Sequence, residues 1–149
     1  MKAENEILLR YCEQQWNHIR HLEEQRATFT NLVTVIAAGI LGFVTQQGLN
    51  IQSLPLIILL IILGIAGVIA SAKFYERSQL HWKREYFWRN RINELNPNAK
   101  LVKLNDAAEE EHSKKRPIMY GFRVHILWVT FHALIALLGI IIAIVIIVK

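Results

Sequence analysis

Residues 124–149 read VHILWVTFHALIALLGIIIAIVIIVK. From Ile126 to Val148 the only ionisable residue is His132. As a helix rising about 1.5 Å per residue, that run is roughly 34 Å long and matches a hydrocarbon core of roughly 30 Å. A helix of a water-soluble domain alternates apolar and polar faces, and this run does not. It predicts a membrane-spanning helix, so the rest of the chain must be read with a bilayer as part of its solvent.

Two further blocks follow the same logic. Leu54 to Ala72 has no ionisable residue and would span about 28 Å. Phe29 to Val44 is shorter and interrupted by Thr30, Asn31 and Thr34, so it crosses only with help from flanking residues or a partner that shelters its polar face. The chain has 149 residues, 53% of them hydrophobic, which is one domain's worth of material. The expected fold is all-α, a three-transmembrane-helix bundle continuing into a cytosolic helical stalk. Its segments are an N-terminal cytosolic helix (1–28), a transmembrane hairpin (29–72), a cytosolic helical region (73–123) and a third transmembrane helix (124–149). The polar-rich stretch before the first block does not resemble a signal peptide, so no cleavage is expected. The single Cys12 has no intrachain disulfide partner and fits a reducing compartment.

Charge predicts orientation. Lys2, Arg10, Arg20 and Arg26 precede the first span, and TQQGLNIQS (45–53) between the first two spans is uncharged. From Lys73 to Arg123 there are twelve basic and seven acidic residues. Loops rich in Lys and Arg stay in the cytoplasm. The N-terminus and the long loop are therefore expected inside a bacterial inner membrane, with the short hairpin and Lys149 on the periplasmic side. The net charge of +5 then serves orientation and contact with anionic lipid, and no direct nucleic-acid binding is expected.

Outside the spans the sequence reads as helix. Leu8, Cys12, Gln15, Ile19, Leu22, Arg26 and Phe29 recur at coiled-coil spacing, as do Phe74, His81, Trp88 and Leu95, with Tyr75, Trp82 and Ile92 beside them. No Gly or Pro breaks either stretch where it meets the membrane. Ser53 and Pro55 mark the start of the second span, NPN (96–98) a turn, and Asp106 with Glu109 a capping box opening a short helix. Two arrangements fit the polar helices: a three-helix stalk, or helices lying on the membrane surface, which the aromatic–basic run HWKREYFWRNR (81–91) also suits.

His132 cannot face lipid, because hydrocarbon offers its N–H nothing. Ala136, Gly139 and Ala143 continue a small-residue stripe from it. The first span carries Ala27, Asn31, Thr34, Ala38, Gly42 and Thr45, the second Gly64, Gly67 and Ser71. Small residues let helices approach closely, and polar ones bond across the contact. On one reading these faces pack together, with His132 bonded to Asn31, Thr34 or a backbone carbonyl. On the other, the Asn31, Thr34 and Thr45 face lines a pore formed by several copies, and His132 gates it with pH. The cations Arg77, Lys83, Arg84, Arg89 and Arg91 are candidate contacts for a ligand's or lipid's phosphate. His18 and His21, with Cys12 and Glu24 nearby, have a metal-ligand spacing but no defined third ligand; they read as surface polar residues, and no metal or cofactor is expected. There is no glycine-rich phosphate loop, HExxH or nucleophile elbow, so the chain does not read as an enzyme.

The run YCEQQWNHIRHLEEQRATFTNLVTVIAAGILGF (11–43), followed by a span ending ASAKFYERSQLHW (70–82), resembles small bacterial membrane proteins. In layout it is similar to the SLATT-type transmembrane effectors, with Arg26 before the first of two close spans and FYERSQLHWKREYFWRNRINEL (74–95) as the following cytosolic helix. The third span departs from that two-span pattern. The resemblance implies an oligomeric membrane effector that permeabilises the inner membrane in antiphage defence; the chain is further expected to form a homo-oligomer and to answer to a cytosolic partner or a nucleotide signal. The alternative is a non-conducting scaffold or regulatory subunit that docks a soluble partner.

Overall fold

The computed structural model describes residues 2–149, with side chains from Ala3 onward; Met1, the first residue of the expected 1–28 segment, lies outside the described residues. Among the described residues every regular element is helical. They are α1 (Lys2–Gln47), α2 (Leu54–Leu95), α3 (Leu101–Lys115), the one-turn α4 (Pro117–Gly121) and α5 (Val124–Val148), with short 3-10 turns at Ile51–Ser53 and Pro97–Ala99. Each of α1, α2 and α5 is long and apolar enough to cross a membrane.

The elements stop where their backbone groups find other partners. Just past α1, Gly48 takes φ +82, the left-handed conformation that ends a helix without a Cβ penalty. Asn50 Oδ1 then accepts from the backbone N–H of Gln52 (3.0 Å) and Ser53 (3.2 Å). Ser53 does not cap α2 with its hydroxyl, which donates back to the Gly48 carbonyl. The capping box expected at Asp106 is not where α3 begins. The helix starts at Leu101, after Lys100 at φ 50, and Asn93 Oδ1 of α2 accepts the Val102 N–H (3.4 Å). A cap supplied by another helix lets α3 open before its own local signal.

The chain divides into two compact units: residues up to Glu23 with Glu76–Arg123, and Glu24–Tyr75 with Val124–Lys149. Helices α1 and α2 contribute to both and run unbroken past 28/29 and 72/73.

In the second unit, Val33, Ala37, Ile40 and Val44 of α1, Ile57 and Leu60 of α2, and Ala136 and Ile146 of α5 are buried. Beside them lie four buried polar residues, Thr30, Ser53, Ser71 and His132, while Val35, Ile69 and Ile147 are each about two-thirds exposed or more (70%, 64% and 67%). Small and polar residues thus share the interior with branched ones, while large apolar side chains also cover the outside, as lipid permits.

In the first unit, α1 and α2 meet along the expected seam. Leu8, Gln15, Ile19 and Ile92 are buried. Tyr11 stacks on Trp88 (5.3 Å between centroids), and Trp16 meets Trp82 edge-on (4.7 Å). Asn5 and Asn96 exchange reciprocal amide hydrogen bonds of 3.0 and 3.1 Å. Helix α3 touches α2 through Arg89 and Asn105 but buries no residue.

His81 belongs to this seam. Its Nδ1 donates to Gln15 Oε1 at 2.7 Å, and its ring stacks on His18 at 4.9 Å. Burial, then His18, Arg84 and Arg77, lowers the His81 pKa from its ordinary value. A histidine depressed in the folded state binds fewer protons there than when unfolded, so stability falls as pH drops below about 6.5. Thermal unfolding from pH 8 to pH 5 should show this loss, and His81→Gln should reduce it. An unchanged pH profile in that variant would mean that other groups carry it.

Candidate functional site

Two buried polar residues of the second unit, Thr30 and His132, meet each other. His132 is fully buried at 0% exposure, and its Nε2 lies 3.3 Å from Thr30 Oγ1. Its other ring nitrogen faces Gly67. A Cβ at Gly67 would collide with His132 Nδ1 and Cγ, and Nδ1 has no hydrogen-bond partner among the described residues. With no acceptor at Nδ1, the neutral ring is assigned its proton on Nε2, which donates to Thr30.

Glycine makes this closeness attainable at two further points. A Cβ at Gly64 would lie 2.5 Å from the Ala136 backbone nitrogen, and one at Gly139 2.7 Å from Ile61 Cγ1. Gly64, Gly67, His132, Ala136 and Gly139 therefore form one α2–α5 contact, held by backbone proximity rather than side-chain bulk. Their place is within the chain.

Beyond His132, the Arg26 guanidinium lies over the Trp128 ring at 5.2 Å, and Tyr75 stacks on His125 at 3.7 Å. Cation–π and aromatic pairs of this kind suit a membrane–water boundary. Ser71 Oγ and Trp128 Nε1 are buried without a partner among the described residues.

The α1 stripe has a different fate. Ala27, Asn31, Thr34, Ala38, Gly42 and Thr45 are all exposed, because the face α1 buries is the adjacent one through Thr30, Val33, Ala37, Ile40 and Val44. The expected bond from His132 to Asn31, Thr34 or a backbone carbonyl is thus corrected to the Thr30 hydroxyl, one position before Asn31. Thr34 and Thr45 donate to their own helix, to the Thr30 and Leu41 carbonyls at 2.7 Å each; Asn31 has no partner among the described residues. Asn31 and Thr34 line a groove of about 440 Å³ with Thr30, Leu127, Trp128 and Phe131.

The five candidate phosphate contacts are not brought together. Arg91 reaches Glu4 (3.3 Å) and Glu94 (3.1 Å). Arg89 lies 3.9 Å from the buried Glu85 and donates to Asn105. Arg77, Lys83 and Arg84 are exposed. Glu85, 4% exposed in the α1–α2 seam, escaped the sequence reading because a carboxylate is normally assigned to the solvent face. Burial, then the Glu85 carboxylate, pushes the Cys12 thiol up against a smaller opposing effect of Arg89, which keeps it protonated and unreactive at neutral pH.

No family model, curated protein or solved structure matches this chain. His18 is committed to the stack with His81, and no group of three or more His, Cys, Asp or Glu among the described residues is placed to hold a metal ion.

Proposed function

We propose that this chain is a homo-oligomeric protein of a bacterial inner membrane that assembles through the Asn31 face of α1 and permeabilises the bilayer. The carrying observation is that Asn31, Thr34, Ala38, Gly42 and Thr45 are all exposed on a helix long and apolar enough to span. Asn31 has two donors and an acceptor that lipid cannot satisfy. A second copy supplies the same groups, and small residues along the stripe permit close approach. In a ring of copies the stripe borders a central path, while His132, bonded inside its own chain, acts as a strut rather than a gate. A cytosolic partner or a nucleotide signal acting on the polar helices would control the assembly.

Induced expression with a membrane-potential dye tests the activity. Depolarisation with growth arrest is expected, and harmless expression would overturn it. Harmless expression would favour the second reading, a non-conducting scaffold, to which the exposed Phe87 (60%) and Tyr86 (47%) offer a docking surface. The charge asymmetry supports an N-in, C-out orientation. A reporter after Lys149 should behave as periplasmic and one near Asn98 as cytosolic. The same side for both would mean that one span does not cross, with the first as the suspect.

A further inference from the structure

Helix α4 is a single turn, Pro117–Gly121, and only Phe122 and Arg123 separate it from α5. Its orientation is fixed from one side. Tyr120 Oη donates to Glu109 Oε1 at 2.7 Å, and the Tyr120 ring meets His112 edge-on at 6.4 Å. With Tyr120 drawn to α3, the remaining large side chains point away. Ile118 is 81% exposed, Met119 69% and Phe122 51%. Three apolar residues left bare within five positions need an occupant.

The charges around them differ in availability. Lys114 and Lys115 are paired one turn back with Glu110 (2.5 Å) and Glu111 (2.7 Å). Arg116 and Arg123, on either side of the apolar turn, have no acidic partner among the described residues. Apolar side chains between two free arginines, next to the start of a span, match the chemistry of an anionic lipid surface: acyl chain below and phosphate at the edge.

We propose that α4 with Arg116 and Arg123 is an interfacial anchor that binds anionic phospholipid in the leaflet where α5 begins. Ile118, Met119 and Phe122 enter the boundary between headgroups and acyl chains. The two guanidiniums each hold a lipid phosphate, for which their forked donors are suited. The anchor fixes the depth at which α5 enters the bilayer and makes the polar segment before it responsive to lipid composition. It requires neither conduction nor assembly through Asn31, so it stands or falls separately from the proposed activity.

The test uses the full chain with Cys12→Ser, reconstituted in phosphatidylcholine vesicles with or without phosphatidylglycerol. A polarity-sensitive dye is placed at Met119→Cys or, as a control on α3, at Lys103→Cys. The Met119 label should emit as in an apolar medium and be quenched by nitroxide-bearing lipid, more strongly when the nitroxide is on phosphatidylglycerol. Arg116→Gln should lower the preference for the anionic lipid about fivefold, the effect of one cation at such a surface. The Lys103 label should remain water-like. Water-like emission at position 119 would overturn the anchor. Equal quenching by the two lipids would overturn its selectivity. Disulfide cross-linking between copies through Met119→Cys would assign the patch to a second copy instead.

Discussion

Gly67→Ala should loosen the α2–α5 contact by about 1–3 kcal/mol, the usual cost of forcing extra carbon into a filled interior. The added methyl would fall on the His132 ring. The ring cannot swing aside without giving up its hydrogen bond to Thr30. Denaturation in mixed detergent micelles measures the loss. Gly39→Ala is the control: nothing lies within 4 Å of a Cβ there, and alanine's helix preference makes it neutral or stabilising by up to about 1 kcal/mol. The decisive comparison is the double variant. His132→Ala by itself removes the interhelical bond, worth roughly 0.6–2 kcal/mol in lipid, and opens a space. Gly67→Ala in that background fills the space, so the double variant should cost less than the sum of the singles by about 0.5–3 kcal/mol. Additive costs would mean that Gly67 and His132 are not in contact.

Asn31→Leu should abolish self-association while leaving the fold of each copy unchanged. The side chain is exposed and makes no bond among the described residues, so its removal subtracts nothing from the intrachain core. Between copies it removes an interhelical hydrogen bond worth about 1–2 kcal/mol in peptide studies, or roughly five- to thirtyfold in each pairwise dissociation constant. A ring loses that at every contact, and the loss compounds around it. Energy transfer between donor- and acceptor-labelled copies in vesicles reads the effect. Phe43→Ala, on a residue 50% exposed and about 120° around α1 from Asn31, should leave transfer intact. Undiminished transfer in Asn31→Leu would remove this face from the interface and, with it, the basis for a pore lined by α1. Near-zero transfer already in the wild type would favour a monomeric scaffold.

The sequence by itself determined the class of fold. Three apolar blocks, two of them about as long as a bilayer is thick and the first somewhat shorter, leave the chain little choice but helices that satisfy their own backbone. It also carried the α1 side of the seam, since Leu8, Gln15 and Ile19 recur at coiled-coil spacing; on α2 the buried positions are Glu85 and Ile92 rather than Phe74, His81, Trp88 and Leu95. That His132 needs a partner on another helix followed from chemistry alone.

Which partner it takes was decided by tertiary structure. Thr30, Asn31 and Thr34 are polar neighbours on α1, and a rotation of about 100° separates consecutive positions on a helix. Within a span, hydropathy does not distinguish one such face from the next, because lipid tolerates outward apolar residues everywhere and the inward side is chosen by fit. The fit of Gly64 and Gly67 against Ala136 and His132 fixes how α2 and α5 meet, and the burial of Val33, Ala37 and Val44 turns Thr30 inward and Asn31 outward. Likewise the start of α3 was set by Asn93 on another helix, and the buried Glu85 by the groups packed around it. Local sequence carries the period of a helix, but not its phase against neighbours that exist only once the chain has folded.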